Sequence, residues 1–82
     1  MFNVYEAHKY SRHNKAILIN DTLCGCFFCL YIFSSQEIFE WEDSGTTAVC
    51  PYCGTDSVIS ECSNYSITKD FLQLMRKYWF KA

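Results

Sequence analysis

The sequence predicts a small, zinc-ribbon-like α+β domain with a two-stranded hairpin, a short middle helix and an amphipathic C-terminal helix. Three observations predict this fold: cysteine pairs at metal-ligand spacing, β-prone segments around the second pair, and a helical apolar period near the C-terminus. The chain has 82 residues and is half hydrophobic, which leaves room for one core. A chain of this length buries only about 60% of its unfolded surface, so a bound metal would supplement a thin core. We therefore expect one zinc-binding domain over residues 1–82.

The six cysteines include two C-x-x-C pairs that are separated by twenty residues. This spacing is typical of a four-cysteine zinc site. Two thiolates on one tight turn bind the same ion, and a second turn completes a tetrahedron with Zn–S distances of about 2.3 Å. Because protein ligands take all four positions, we expect one structural zinc ion and no catalytic role for it. The predicted ligands are Cys26, Cys29, Cys50 and Cys53.

The residues beside the two pairs fit metal-binding turns unequally. Gly54 follows the second pair and suits a position that needs a positive φ, while Pro51 fixes φ inside that turn. Leu30 takes the corresponding position after the first pair, which is therefore the less ideal half. Phe33 stands where such a turn commonly buries an apolar side chain beside the metal.

Cys24 leaves the identity of one metal ligand undecided, because it forms a C-x-C with Cys26. C-x-x-C turns are the commoner arrangement and favour Cys26 with Cys29, but Cys24 with Cys29 is an alternative pair. As an extra thiol, Cys24 is either a small buried side chain or a reactive nucleophile. In the second case its pKa would be lowered by the metal or by Arg12 and Lys15.

Other assignments for the thiols and histidines are open as well. Cys62 lies in a polar stretch and is expected to be exposed and incidental. No chelating spacing links His8 or His13 to the cysteines, so surface or capping roles are expected for them. The three cysteines within Cys24–Cys29 also allow an iron–sulfur cluster. The even number of cysteines in the chain allows disulfides, which a reducing cytosol disfavours.

Capping residues and apolar patterns predict the remaining elements. Ser11 is a candidate N-cap for the first helix, although the run Ala16–Ile19 fits a strand equally well. Ser34 and Glu37 form a capping box before the middle helix, and Thr68 caps the last one. The predicted helices are Arg12–Ile19, Ser35–Glu42 and Lys69–Lys81. The predicted hairpin pairs two strands that flank the second cysteine turn, Thr46–Val49 and Asp56–Ser60.

Aromatic residues outnumber the places where so small a domain can bury them. The last helix has an apolar face at 3- and 4-residue steps, formed by Phe71, Leu74, Met75, Tyr78 and Trp79. Part of this surplus is expected to remain exposed and to form a partner surface or a homodimer interface. The partner surface is predicted at Tyr78, Trp79 and Phe80, with Phe2, Tyr5 and Tyr10 as further exposed aromatics.

The formal net charge of −2 lacks the basic excess that nucleic-acid binding usually requires. A local basic patch would still allow it, with Lys9, Arg12, His13 and Lys15 on phosphates. Residues 1–14 contain no apolar signal segment, and no apolar run reaches the ~20 residues that span a bilayer. We therefore expect a cytoplasmic protein without a membrane association.

A series of motifs runs from the first cysteines to the end of the last helix: Cys24-Gly25-Cys26-Phe27-Phe28-Cys29, Glu37-Ile38-Phe39-Glu40-Trp41, Thr47-Ala48-Val49-Cys50-Pro51-Tyr52-Cys53-Gly54, Asp56-Ser57-Val58-Ile59, Ile67-Thr68, and Phe71-Leu72 with Met75 and Tyr78-Trp79-Phe80. The order and spacing of these motifs resemble a family of short bacterial proteins that are described only as "cytoplasmic protein". The resemblance runs from Cys24 to Phe80, over most of the chain. It departs from the family at Thr55, where an aliphatic residue is usual, and at Glu61–Ser66, where a Gly- and Pro-rich turn is usual. It implies a zinc-binding, cytosolic protein of a bacterium or phage, and no activity.

These observations predict a non-catalytic protein-interaction module, an adaptor or inhibitor, held together by one structural zinc. The first alternative is a zinc ribbon that binds nucleic acid. The second is a thiol-based enzyme or redox protein that uses Cys24.

Overall fold

The computed structural model describes residues 3–80, which form short helices, short strands and one longer helix. Single 3₁₀ turns join several of these elements. The helices are α1 (Val4–His8), α2 (Lys15–Leu18) and α3 (Lys69–Phe80). The strands are β1 (Leu23–Cys26), β2 (Ile32–Ser34), β3 (Trp41–Glu42), β4 (Thr47–Ala48) and β5 (Val58–Ser60). No helix within residues 3–80 is long and apolar enough to cross a membrane.

A three-stranded antiparallel sheet, in the order β2–β1–β5, is the centre of the fold. Side chains alternate between the two faces of a strand, so the residues of β1 and β5 are divided between two buried clusters. The metal-side cluster contains Cys24, Cys26 and Val58, and the helix-side cluster contains Ile59. Gly25 lies between the two cysteines and faces the α3 residue Leu72. The sheet therefore separates the cysteine cluster from the C-terminal helix.

The predicted hairpin between Thr46–Val49 and Asp56–Ser60 is wrong. In β4, Ala48 pairs with Trp41 of β3, whereas β5 pairs antiparallel with β1. The hairpin that encloses a cysteine turn is instead β1–β2, around the first pair. Strand β1 is buried on both faces, so its backbone groups need hydrogen-bond partners on both edges, and β5 supplies the second edge.

The predicted middle helix, Ser35–Glu42, is also wrong, although its capping box is present. Ser34 caps the turn, and the carboxylate of Glu37 accepts a hydrogen bond from the Ser34 N–H at 3.2 Å. This box begins only a single 3₁₀ turn, Ser35–Glu37. Ile38 then becomes extended (φ −73°, ψ 126°) and enters the metal-side cluster. Burial of this β-branched side chain thus outweighs the helix start that precedes it.

The predicted helix Arg12–Ile19 is shorter than expected, because α2 covers only Lys15–Leu18. Ser11 is not its cap: its hydroxyl donates to the carbonyl of His8 at 2.7 Å and closes the preceding 3₁₀ turn. Residues before Ser11, for which the sequence indicated no period, form α1.

Asn14, which the sequence did not single out, connects three parts of the chain. Its side chain is buried, and its Nδ2 donates to the carbonyls of Tyr10 (3.1 Å) and Val58 (3.0 Å). Its Oδ1 accepts from the N–H of Ala48 at 3.1 Å. One amide thus satisfies backbone groups of the N-terminal segment and of both sheets.

Helix α3 confirms the prediction over Lys69–Phe80, and Lys81 lies outside the described residues. Thr68 caps it, since its hydroxyl accepts from the N–H of Phe71 at 3.2 Å. The buried face differs from the predicted one: it consists of Phe71, Leu72 and Met75, while Leu74 and Tyr78 are exposed.

Candidate metal centre

The two C-x-x-C turns have the same backbone structure. In the first, the N–H of Leu30 donates to the carbonyl of Cys26 at 2.8 Å, and Leu30 has a φ of +70°. In the second, the N–H of Gly54 donates to the carbonyl of Cys50 at 3.0 Å, and Gly54 has a φ of +79°. The left-handed conformation suits glycine and strains leucine, so the first turn is indeed the less ideal half.

Backbone N–H groups point at the first sulfur of each turn. The N–H of Phe28 lies 3.4 Å from Cys26 Sγ, and the N–H of Tyr52 lies 3.4 Å from Cys50 Sγ. Such donors stabilise negative charge on sulfur, which a thiolate ligand carries. These N–H groups offset part of the cost that burial adds to a thiolate at Cys26 and at Cys50.

The structure brings four sulfurs into one cluster whose members all lie within 4.8 Å of one another. Two pairs join the two turns: Cys26 Sγ is 3.6 Å from Cys53 Sγ, and Cys29 Sγ is 3.7 Å from Cys50 Sγ. A tetrahedron with Zn–S bonds of about 2.3 Å has S–S edges of about 3.8 Å. The donor set and its geometry therefore fit a single tetrahedral metal ion.

None of the six cysteines forms a disulfide, so the disulfide framework that the even number allowed is not present. Phe33 packs in the metal-side cluster, as predicted. Tyr52 lies at the rim of the site, where its ring is 4.4 Å from the ring of Tyr31 and its hydroxyl donates to Glu37. This contact connects the second cysteine turn to the capping box.

The environment of the sulfurs holds protons on two of them and favours charge on a third. Burial raises the pKa of Cys26, and it raises the pKa of Cys50 to about 11. Burial also acts to raise the pKa of Cys53, but hydrogen bonds with Thr55 and with the neighbouring thiols lower it overall. Thr55 thus contacts a sulfur through its hydroxyl, at 3.3 Å. A metal ion must displace protons from Cys26 and Cys50.

Cys24 lies outside the four-sulfur cluster, which corrects its alternative role as a ligand paired with Cys29. It is fully buried in β1, and its thiol points to the carbonyl of Thr22 at 3.7 Å. The expectation that Arg12 and Lys15 lower its pKa is wrong, because burial raises the pKa of Cys24 to about 12. The structure therefore gives this thiol the character of a small core side chain.

Cys62 is exposed, as expected, and its sulfur lies 3.3 Å from the hydroxyl of Thr22. His13 makes no contact with the cluster: its Nδ1 lies 2.8 Å from the hydroxyl of Thr46. His8 packs its ring on Trp79 with the centroids 4.0 Å apart. The three residues are therefore separate from the candidate centre.

The basic residues that could contact phosphates are dispersed. The ammonium of Lys9 lies 5.2 Å from the ring centre of Tyr10, and that of Lys15 lies 5.4 Å from the ring centre of Trp41. Each contact is a cation–π interaction within its own part of the chain.

The predicted partner surface is only partly exposed. Tyr78 and Phe80 are exposed, but Trp79 is half-buried and its indole N–H donates to the carbonyl of Val4 at 2.9 Å. Tyr5 is exposed and Tyr10 is half-buried, while Phe2 lies outside the described residues. Leu74, which the sequence placed on the apolar face of the last helix, is exposed and lines an open groove of about 690 Å³ with Tyr5 and Tyr78.

Comparisons with models of protein families, with curated proteins and with solved structures found no match. The class of the protein is defined here by fold and site. It is a small α+β chain with antiparallel hairpins, a C-terminal helix and a four-cysteine cluster that is compatible with a metal.

Proposed function

We propose that the chain is a small cytoplasmic protein of a bacterium or phage that binds one structural Zn²⁺ and acts as a non-catalytic protein-interaction module. The closed set of four thiols carries the first part of the proposal. Catalytic zinc keeps a position open for water, whereas the four clustered thiols of Cys26, Cys29, Cys50 and Cys53 are enough to fill every position of a tetrahedral ion. The metal would then hold two turns together and activate no nucleophile.

The S–S distances favour a single ion over a cluster. In an iron–sulfur cluster the four thiolates are divided between two or more irons, which places sulfurs on different irons further apart than the edges of one tetrahedron. Here all four sulfurs lie within 4.8 Å of one another. The cross-turn distances of 3.6 and 3.7 Å match one ion. Tetrahedral sulfur coordination suits zinc and also a single iron, so the identity of the metal needs a direct test. X-ray absorption at the metal edge should give zinc with four sulfur neighbours at about 2.3 Å and no oxygen. A bound oxygen or an iron edge would contradict the proposal.

An exposed apolar surface supports the interaction role. We define the aromatic face as Tyr5, Leu74 and Tyr78, which line the groove between α1 and α3. Their exposed fractions are 69%, 41% and 36%. The ring centres of Tyr5 and Tyr78 are 4.7 Å apart in an edge-on arrangement, so the face is already ordered. Preorganised aromatic side chains are typical of interface hot spots.

A matched pair of variants tests this role. Leu74→Asp places a charge on the aromatic face, and Ile19→Asp places the same charge on another exposed apolar residue, which is 65% exposed. Affinity capture followed by mass spectrometry should recover one protein with the wild type and with Ile19→Asp, and lose it with Leu74→Asp. Light scattering on the same samples reports a homodimer through the same face. Equal recovery by all three proteins, with no dimer, would refute this surface as the interface.

The two alternatives have less support in the geometry. Binding to nucleic acid requires a basic patch, yet Lys9 and Lys15 each pack on an aromatic ring of their own neighbourhood. A thiol-based enzyme requires an accessible nucleophile, yet Cys24 is buried with a raised pKa.

A further inference from the structure

A second, smaller cavity lies away from the cysteine cluster, where four segments of the chain meet. Its volume is about 180 Å³, and its polar lining includes the side chains of His8, Arg12 and Asp56. Phe27 and Trp79 contribute aromatic walls. No feature of the proposed zinc centre or of the aromatic face explains why these three polar groups converge.

The walls of this cavity are fixed by contacts. The His8 ring packs on Trp79 with centroids 4.0 Å apart and lies 5.9 Å from the Phe27 ring. Trp79 is held in turn by its hydrogen bond to Val4. The N–H of Phe27 donates to the carbonyl of Ser57 at 3.0 Å, which positions the neighbouring Asp56 segment. The cavity is therefore a preformed site, whose ordering cost is already met by folding.

The side chains of His8, Arg12 and Asp56 have no ion-pair or hydrogen-bond partner within residues 3–80. The guanidinium of Arg12 and the carboxylate of Asp56 form no ion pair or hydrogen bond with another described residue, and neither do the ring nitrogens of His8. Burial and the positive charge of Arg12 lower the pKa of His8, while Asp56 acts in the opposite direction. The charges of Arg12 and Asp56 are thus both close enough to influence the His8 imidazole. Because its pKa is lowered, this imidazole is neutral near pH 7.

Charge and size together restrict the ligand. One cation, one anion and a neutral imidazole give the cavity no net charge, which disfavours a phosphate dianion and favours a ligand that carries both signs. Sites for drug-sized ligands occupy about 300–1,000 Å³, so 180 Å³ excludes a nucleotide and suits a small molecule. The aromatic walls suit an apolar substituent.

We infer that this cavity binds a free α-amino acid with an apolar side chain. Arg12 would bind the α-carboxylate with two parallel hydrogen bonds, and Asp56 would accept hydrogen bonds from the α-ammonium. An imidazole nitrogen of His8 would accept a further hydrogen bond from the ammonium group. The side chain of the ligand lies against Phe27 and Trp79, beside the end of α3. This inference is independent of the proposed metal and of the proposed protein partner.

The test is a titration of zinc-loaded, ¹⁵N-labelled protein with L-leucine, followed by amide and His8 ring shifts. We expect saturable shifts confined to the cavity, with a dissociation constant of about 1 mM or lower. Glycine, N-acetylleucine and leucinamide each lack one of the three recognised groups, so each should bind at least about tenfold more weakly. Inorganic phosphate should not bind.

Two variants and one control assign the contacts. Arg12→Gln and Asp56→Asn remove one charge each from side chains at the cavity mouth, and each should weaken leucine binding about tenfold or more. Lys9→Gln removes an exposed cation outside the cavity and should leave the affinity within about twofold. Amide spectra verify that each variant is folded. The inference is overturned if leucine gives no saturable shift, if the acetylated and amidated analogues bind as well as leucine, or if phosphate binds in its place.

Discussion

At Gly25 the sheet packs directly against Leu72 of the C-terminal helix, and the replacement of this glycine tests the fold. A Cβ added at Gly25 would lie 2.7 Å from Leu72 Cδ1 and 2.9 Å from Ile67 Cγ2. Leu72 is fully buried and Ile67 is 7% exposed, so neither side chain has free space beside it. Strand β1 is held on both edges by β2 and β5 and cannot move away alone.

The expected cost of Gly25→Ala follows from these distances. Carbon atoms in contact prefer about 3.5–4.0 Å, so Leu72 must retreat by about 0.8 Å or more from the new methyl group. Overpacking of this kind typically costs about 1–3 kcal/mol of unfolding free energy. For a domain of this size the melting temperature should fall by roughly 5–20 °C.

A double-mutant cycle separates this contact from other effects. Leu72→Ala alone creates a cavity and should cost about 2–5 kcal/mol. Combined with Gly25→Ala, it removes the clash with Leu72 and leaves only the contact with Ile67, so the pair should be at least about 1 kcal/mol more stable than the sum of the single changes predicts. Denaturation with guanidinium in a zinc buffer measures all four proteins.

Gly45→Ala supplies the control for this cycle. Gly45 has a φ of +84° and no atom near its added Cβ, so its cost is conformational and should be additive with Leu72→Ala. The packing of α3 on β1 would be refuted if Gly25→Ala had the unfolding free energy of the wild type. It would also be refuted if the free-energy changes of Gly25→Ala and Leu72→Ala were additive.

Three further predictions concern a buried amide, the free thiols and the metal-binding thiols. Asn14→Ala leaves buried backbone groups, including the Ala48 N–H, without partners and should cost at least about 2 kcal/mol in chemical denaturation; an unchanged midpoint would contradict this. Iodoacetamide at pH 7.5 should modify zinc-loaded protein once, at Cys62, because Cys24 is buried and its pKa is raised to about 12; peptide mapping that finds Cys24 modified first would be the opposite result. Burial raises the pKa of Cys50 to about 11, so zinc must displace its proton, and the zinc affinity should fall at least about tenfold for each unit by which the pH is lowered between 8 and 6. A flat profile in competition titrations would contradict coordination by thiolates.

The cysteine turns could be predicted from the sequence because their information is local. The spacing of each pair and the glycine at Gly54 indicate a turn of four or five residues. The structure has that turn twice, although Leu30 takes the position of the glycine in the first. The C-terminal helix is local in the same sense, since Thr68 and the apolar period are sufficient to place it.

The elements that could not be predicted from the sequence depend on partners that are distant along the chain. The capping box at Ser34 is a true helix start, but burial of Ile38 and pairing of Trp41 redirect the chain after one turn. The partner of β5 is β1, which lies more than thirty residues earlier, and no local signal specifies that pairing. The same limit explains why Asn14 was missed, because an amide that joins separate segments has no pattern in the sequence.

The apolar face of α3 was misassigned for a geometric reason. Leu72 and Leu74 both fit a helical stripe that includes Phe71 and Met75, and the choice between them depends on where the helix docks. The docking site is the bare backbone at Gly25, which accepts Leu72 and turns Leu74 outward.

We propose that four thiols hold one zinc ion and thereby hold the fold together. Elemental analysis combined with native mass spectrometry tests it on the wild type, on Cys50→Ser and on the control Cys62→Ser, whose thiol is exposed and outside the cluster. We expect one zinc per chain in the wild type and in Cys62→Ser. Cys50→Ser should lose the metal, and its mass spectrum should lose the narrow, low charge states of a folded protein. Zinc-free wild type that remains folded, or a Cys50→Ser variant that retains one zinc per chain, would contradict it.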